Sequence, residues 1–213
     1  MDDKDSSMTT RRITITVFSD YLCPWCWPAA VRLRKLVEVH PGQINLEHRA
    51  FLLRPDEKPT VFTAYHLQHR ASAAARTGLP FHFPQIGDRY PRSSWPALEA
   101  AKWVRDHHPE AFDAFDLALF AAFFERTEDI SSPAVLTAVV ESVGVPGDGL
   151  TEALETRQYR DWVMADHALA QDFQINSIPT VTSGGYEVSG AVPYEEYENL
   201  LSTVRGAAQS RVA

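Results

Sequence analysis

The sequence predicts an α/β protein in which two β-containing segments flank a long all-helical stretch. Three observations predict this class. The chain opens with the alternating, β-branched run RITITVF at 12–18, then a helical pattern, then a second alternating run at 44–53. The middle, roughly 60–150, has helical periodicity and no clear strand. The chain closes with a Gly-Gly hairpin signal at 178–190 and an amphipathic helix at 192–204.

The bulk composition limits the function classes. The chain has 213 residues with 45% hydrophobic content, enough for a sizeable core without disulfides or metals. Its formal net charge of −8, without a basic stripe, gives nucleic-acid binding no electrostatic support. The polar start MDDKDSSMTTRR lacks the apolar region of a signal peptide, and no apolar run is long enough for a membrane span. We therefore expect a soluble, cytoplasmic monomer or homodimer, without nucleic-acid or membrane partners.

The opening is predicted to be β–α–β. From Pro24 onward Ala29, Leu33 and Leu36 lie on one helical stripe, and Pro41-Gly42 ends the helix. A helix between two strands forms a crossover connection, so the strands should pair in parallel.

The remaining elements follow the same signals. The predicted helices of the middle and of the segment after it are 62–76, 95–107, 110–126, 131–143 and one long helix at 151–173. This element order fits a thioredoxin-type core interrupted by helices. The predicted parts are a discontinuous thioredoxin-like domain over 11–59 and 151–206, an all-helical insertion over 60–150, and disordered ends at 1–10 and 207–213.

The only two cysteines, Cys23 and Cys26, lie two residues apart just after the first strand. Thiols in the cytoplasm stay mostly reduced, so a close pair there is more often catalytic or metal-binding than structural. Backbone N–H groups and the positive end of a helix dipole favour a thiolate at a helix start. We predict that Cys23 attacks a disulfide and that Cys26, one turn inside the helix, resolves the mixed disulfide.

Two other interpretations of the pair remain open. A structural zinc site needs four ligands, so zinc would require two histidines beside the two cysteines. Inert buried cysteines are the second alternative, although the strand-to-helix position favours reactivity. His66 and His69, three apart on a predicted helix, have no obvious third ligand, so we expect them on a solvated face.

Several residues near the thiols are candidates for supporting roles. Asp20 is a possible proton acceptor or a capping residue. One of Trp25 and Trp27 should pack in the core, and the other should form an apolar rim for substrate. The phenylalanine-rich helix at 112–124 is predicted to be core, or to face a groove over the active site.

The segment INSIPTV at 175–181 is the second informative motif. A cis peptide bond before Pro179 would place Ile178 and Pro179 beside the thiols, where the backbone of Ile178 can pair with an extended substrate. The alternative is an ordinary proline on an edge strand. Pro24, Trp25, Ile178 and Pro179 are therefore the candidate substrate-binding residues.

DYLCPWCW, INSIPTV and VSGAVPYEEYENLL together resemble the DsbA-like thioredoxin superfamily. FLLRPD at 51–56 and FDLALFAAFFERTEDIS at 115–131 are similar to its FrnE-type branch, which is related to 2-hydroxychromene-2-carboxylate isomerases and kappa-class glutathione transferases. The resemblance covers roughly residues 12–205. It implies a thioredoxin fold with a helical insertion, a redox-active Cys23–Cys26 pair and a cis peptide between Ile178 and Pro179.

The differences between this sequence and the related families allow the function hypotheses to be ranked. The isomerases and transferases typically carry a serine where Cys23 stands, so a cysteine pair favours disulfide chemistry. The first hypothesis is a thiol–disulfide oxidoreductase that needs no cofactor and no metal, acts on a disulfide- or thiol-containing protein or small molecule, and has glutathione as a possible co-substrate. The second is a glutathione-dependent isomerase or transferase acting on an aromatic or polyketide-like molecule. The third is a chaperone-like binding module with incidental thiols.

Overall fold

The structure is a computed structural model that describes residues 12–210. The disorder predicted for 1–10 therefore lies outside the described residues. The strands are β1 (Ile13–Ser19), β2 (Ile44–Ala50), β3 (Thr60–Val61), β4 (Arg89–Tyr90), β5 (Thr180–Ser183) and β6 (Tyr186–Ser189). The helices are α1 (Cys26–Val39), α2 (Ala64–Thr77), α3 (Trp95–His107), α4 (Phe112–Phe124), α5 (Pro133–Ser142), α6 (Leu150–Glu155), α7 (Arg160–Asp172) and α8 (Tyr194–Ser210).

Four strands form the main sheet in the order β2-β1-β5-β6. β1 and β2 pair in parallel with Ile13 opposite Ile44, which confirms the predicted crossover. β5 runs antiparallel to β1, and β5 and β6 form the hairpin expected around Gly184 and Gly185. The two-residue strands β3 and β4 make a separate antiparallel ribbon within the insertion. This is the thioredoxin-type α/β core with a helical insertion.

The start of α1 differs from the prediction. Pro24 and Trp25 form a turn closed by a 3.1 Å hydrogen bond from the Cys26 N–H to the Cys23 carbonyl, and the helix begins only at Cys26. Cys26 is therefore the first helical residue and does not lie one turn inside. Pro28 becomes the third residue of the helix, a position whose N–H has no acceptor within a helix anyway, so it causes no break.

Two further predictions are corrected in the second half. The single helix expected over 151–173 is wrong: α6 and α7 are separate because the chain turns at 156–159, where Arg157 adopts a left-handed φ of 56°. The closing helix continues to Ser210, so residues 207–210, for which the sequence predicts disorder, extend α8.

Two buried clusters explain how the core and the insertion fit together. The first lies between the sheet and helices α1 and α8, and it contains Ile15, Val17, Leu33, Tyr197 and Leu201. The second and larger cluster fills the insertion and continues without a gap to Cys23, Cys26 and Trp27. The segment that carries the cysteines is therefore packed directly against the insertion. No helix within residues 12–210 is long and apolar enough to cross a bilayer.

Candidate active site

The two cysteines lie in the turn between β1 and α1. Both are free thiols and both are buried, with 5% of Cys23 and 1% of Cys26 exposed. The Cys23 N–H donates a 3.1 Å hydrogen bond to the Asp20 carbonyl, which fixes the segment that leaves the strand. Because α1 begins at Cys26, the positive end of the helix dipole lies beside this turn.

Ile178 lies beside the Cys23 thiol, as predicted. The Cys23 thiol donates a 3.6 Å hydrogen bond to the Ile178 carbonyl, although the two residues are 155 positions apart in the sequence. The Ile178–Pro179 peptide bond is cis. Ile178 is half-buried, and Pro179 is buried behind it.

A cleft of about 340 Å³ opens in front of Cys23. One side belongs to the segments around the cysteines and the cis proline, and we call it the core wall: Leu22, Cys23, Pro24, Trp25, Leu53, Ser177 and Ile178. The other side belongs to the insertion, and we call it the insertion wall: Tyr65, His66, His69, Arg70, Tyr90, Phe123 and Phe124.

Of the residues predicted for the site, the cleft brings together Cys23, Pro24, Trp25 and Ile178. Cys26, Pro179 and Asp20 do not line it. The two tryptophans divide as expected: Trp25 lines the cleft, and Trp27 is buried. Trp27 packs against the rings of Phe81 and Phe124, with centroids 5.0 and 6.0 Å away.

Asp20 lies behind the cysteines and is almost wholly buried, with 1% exposed. Its carboxylate accepts hydrogen bonds from the N–H groups of Leu22 (2.7 Å) and Leu53 (2.9 Å). Neither residue lies in a helix and the N-cap of α1 is Trp25, so the expectation that Asp20 caps the helix is wrong. Burial raises the pKa of Asp20 to about 6, partly offset by hydrogen bonds. Its role as a proton acceptor stays a prediction.

Cys26 stays protonated to a higher pH than an ordinary cysteine, because its pKa is raised. Burial raises the pKa of the Cys26 thiol well above its usual value, and the adjacent Cys23 and the charge of Asp20 raise it further. A thiol with a raised pKa reacts slowly with external reagents, because only the thiolate is the nucleophile. Cys23 lines the cleft and Cys26 does not, so the two cysteines differ in access.

Arg70 on the insertion wall was not found by sequence reasoning. It is 2% exposed and donates to the carbonyls of His82 (2.9 Å), Phe123 (3.1 Å) and Phe124 (3.3 Å). Its guanidinium also lies over the rings of Phe62, Phe123 and Phe124. Burial lowers the pKa of Arg70 to about 10, so it stays charged at neutral pH. An isolated arginine on an amphipathic helix gives no sequence signal for such a role.

The two histidines of α2 also line the cleft, so their expected place on a solvated face is wrong. His66 is half-buried, accepts the Thr63 N–H at 3.1 Å and stacks on Tyr90 with centroids 4.2 Å apart. Burial lowers the pKa of His66, and the nearby Arg54 and Arg70 lower it further. Within residues 12–210 no group of three or more potential metal ligands occurs.

A buried polar contact joins the segment before Cys23 to the insertion. The Tyr21 hydroxyl donates a 2.8 Å hydrogen bond to Asp116 on α4, which also accepts from Arg34 of α1 at 3.3 Å. Burial raises the pKa of Asp116, while Arg34 and the Tyr21 hydrogen bond lower it. This contact holds α4, and with it the insertion wall, at a fixed distance from the cysteine turn.

The cleft differs in charge from the molecule as a whole. Among the described residues, none of those that line the cleft is acidic, whereas the chain carries a net charge of −8. The lining offers one buried guanidinium, two imidazoles, phenol groups and aromatic faces. Such a surface suits a ligand with anionic groups better than a cationic one.

Comparisons with known proteins find relatives in sequence and in fold. A protein of Bacillus subtilis (strain 168), YwbO, described as uncharacterized, is 26% identical over 201 residues, which cover 89% of this chain and 96% of that protein. The crystal structure of a proposed protein disulfide isomerase from Nitrosomonas europaea has a TM-score of 0.77 at 22% identity, covering 91% of this chain and 97% of that one. The cytosolic disulfide reductase DsbM from Pseudomonas aeruginosa, solved with GSH, has a TM-score of 0.70 at 18% identity, covering 94% and 99%.

At these identities the two structural neighbours establish the fold alone. The family model of the DSBA-like thioredoxin domain matches residues 14–202, a range that includes both cysteines, the cis proline and the whole insertion. The chain therefore belongs to the DSBA-like thioredoxin domain family.

Proposed function

We propose that this protein is a thiol–disulfide oxidoreductase in which Cys23 is the nucleophile and Cys26 the resolving thiol. The observation that carries the proposal is the position of the two sulfurs: Cys23 lines the cleft, and Cys26 is buried behind it. The Cys23 thiolate attacks one sulfur of a disulfide substrate and forms a mixed disulfide, and the other substrate sulfur leaves as a thiolate. Cys26 then attacks Cys23, which releases the second substrate thiolate and leaves the Cys23–Cys26 pair oxidised.

Ile178 is proposed to align the substrate. Its carbonyl accepts the Cys23 thiol, so a substrate placed beside Cys23 lies next to the main chain of Ile178, which also lines the cleft. Main-chain pairing of this kind binds an extended peptide or a peptide-like molecule without requiring a particular side chain. Pro24 and Trp25 supply apolar contacts on the same wall.

Glutathione is the co-substrate that the cleft favours. A space of about 340 Å³ is in the range of small-molecule sites, and its lining has hydrogen-bond donors and no carboxylate. Glutathione carries two carboxylates, and one structural neighbour was solved with GSH. The cytoplasm, where glutathione is abundant and reducing, is the proposed place of action, with reduction as the direction of electron flow.

The test compares two disulfides and three proteins. Reduced wild type, Cys23→Ser and Cys26→Ser are assayed for reduction of oxidised glutathione and of insulin. Each reduced wild-type chain is expected to reduce one equivalent of glutathione disulfide while its Cys23–Cys26 pair is oxidised, and Cys23→Ser is expected to react roughly a hundredfold or more slowly because a serine oxygen cannot form a disulfide. Faster turnover of insulin than of glutathione disulfide would reverse the substrate assignment. Glutathione binding without any disulfide turnover would favour a glutathione-dependent isomerase or transferase instead.

A further inference from the structure

Tyr90 is held rigidly in the insertion wall. It is 7% exposed and lines the cleft together with Cys23. Its ring stacks on His66 with an interplanar angle of 16° and meets the edges of Phe62 and Phe123 at centroid distances of 4.9 and 5.5 Å. Packing on three sides fixes the direction of the ring and hence of its hydroxyl.

The hydroxyl of Tyr90 differs from those of the other buried tyrosines. Tyr21, Tyr159 and Tyr197 donate to Asp116, Asp106 and the Gly190 carbonyl, respectively. Tyr90 is also buried as a residue, but within residues 12–210 no protein group bonds its hydroxyl, which reaches the space of the cleft instead of being enclosed. A hydroxyl that faces a cleft without a protein partner is free to donate a hydrogen bond to a ligand there.

The charges around this hydroxyl suit a hydrogen-bond donor. Burial raises the pKa of Tyr90 well above its usual value. Asp20 and Cys23 raise it further, while Arg70 and Arg54 lower it. The phenol, which shares the cleft with Cys23, therefore stays protonated over the whole neutral range.

We propose that the Tyr90 hydroxyl is a catalytic hydrogen-bond donor to the leaving sulfur of a disulfide attacked by Cys23. The proposal rests on the disulfide chemistry proposed above. As the Cys23 sulfur bonds to the near substrate sulfur, the substrate S–S bond breaks and its electron pair moves to the far sulfur. The far sulfur becomes a thiolate that Tyr90 stabilises without giving up its proton, and the thiolate is later protonated by water. Tyr90 lies on the insertion wall, and Cys23 and Ile178 lie on the core wall of the same cleft, so a disulfide bound there is within reach of both walls.

The test uses two neutral disulfides whose leaving thiols differ in acidity. Bis(2-hydroxyethyl) disulfide releases a weakly acidic alkyl thiol, and 2,2′-dipyridyl disulfide releases an acidic aromatic thiol that needs little help. Tyr90→Phe is expected to react about tenfold more slowly with the alkyl disulfide, the effect of one hydrogen bond to a charged group, and nearly normally with the aromatic one. Tyr186→Phe, in the exposed β5–β6 hairpin, is the matched control and should match the wild type with both. Equal losses with both disulfides, or no loss, would overturn the proposal.

A second measurement needs no variant. The rate of the wild-type protein with a series of disulfides is plotted against the pKa of the leaving thiol, beside the same plot for free glutathione. If a hydrogen-bond donor stabilises the leaving sulfur, the rate of the protein falls less steeply with the pKa of the leaving thiol than the rate of free glutathione does. Identical slopes for the two would contradict the role of Tyr90. Cys23→Ser distinguishes failure of the proposed function from failure of the role of Tyr90. If Cys23→Ser reacts normally, the proposed function is wrong. If Cys23→Ser is inactive while Tyr90→Phe reacts normally, only the role of Tyr90 is wrong.

Discussion

The two walls of the cleft are built differently. On the core wall the groups next to the Cys23 sulfur belong largely to the main chain: the Ile178 carbonyl accepts the Cys23 thiol, and the turn after β1 fixes the cysteine. On the insertion wall the functional groups are side chains, led by Arg70, His66 and Tyr90. The core wall therefore depends on backbone geometry, and the insertion wall depends on residue identity.

The walls also differ in buried charge. Behind the core wall lies a buried carboxyl group, Asp20, whereas the insertion wall contains a buried cation, Arg70. Each is held by main-chain groups, the carboxylate by N–H donors and the guanidinium by carbonyl acceptors. Under the proposed function, the core supplies the two sulfurs, and the insertion supplies the side chains, Tyr90 among them, that contact the substrate.

The largest expected effect comes from removing the cation of the insertion wall. Arg70→Met introduces an apolar side chain of similar length. It leaves the Phe123 carbonyl at the end of α4 without a donor and removes the cation, while the Phe124 carbonyl keeps the His82 N–H. We expect the free energy of unfolding to fall by about 3 kcal/mol in urea titrations. Arg76→Met, an exposed arginine on the same helix, should cost less than about 0.5 kcal/mol. Equal effects of the two variants would show that the insertion wall does not depend on its buried charge.

The second effect tests the core wall through its pH dependence. The pKa of Asp20 is raised from 3.8 to about 6, so its contribution to stability is complete below pH 3.8 and is lost as the pH rises through 6. The amide that replaces this carboxyl in Asp20→Asn does not titrate. The stability of Asp20→Asn relative to wild type should therefore improve by about 2–3 kcal/mol between pH 4 and pH 7.5, measured by urea unfolding. A difference that stays flat with pH would mean that burial does not hold this carboxyl protonated.

The smallest of the three effects concerns the hydrogen bond from Tyr21, just before the cysteine turn, to Asp116 on α4 of the insertion. Tyr21→Phe removes the hydrogen bond to Asp116 and leaves the aromatic packing against Phe120 in place. We expect a loss of about 1.5 kcal/mol in the free energy of unfolding, because Asp116 keeps its bond to Arg34. Tyr186→Phe serves as the exposed control. No loss in Tyr21→Phe would indicate that apolar packing alone joins the insertion to the cysteine turn.

Sequence reasoning predicted the core wall well, for physical reasons. A strand followed at once by a cysteine pair and a helical stripe fixes where Cys23 lies, because strand and helix periodicities are local signals. The position of Ile178-Pro179 after the last long helix was enough to suggest its place beside the thiols. Two features could not be predicted from local sequence patterns. The turn at 24–25 delays the start of α1 to Cys26. The left-handed conformation of Arg157 separates α6 from α7.

The insertion wall was only partly predictable. The phenylalanine-rich run of α4 indicated an apolar face, and two of its residues, Phe123 and Phe124, do line the cleft. Arg70, His66 and Tyr90 gave no comparable signal, because polar residues on an amphipathic helix or near a turn look solvated in sequence. Their burial comes from contacts between elements far apart in the chain, such as Arg70 with the end of α4.

The central claim is that Cys23 is the sulfur that reacts with substrate in this cleft, and trapping tests it most directly. Cys26→Ser is incubated with oxidised glutathione, and the adduct is located by intact-mass and peptide mass spectrometry. We expect one glutathionyl group per chain, bound to Cys23, and none on Cys23→Ser under the same conditions. An unmodified Cys23, together with an adduct on Cys26 in Cys23→Ser, would contradict it.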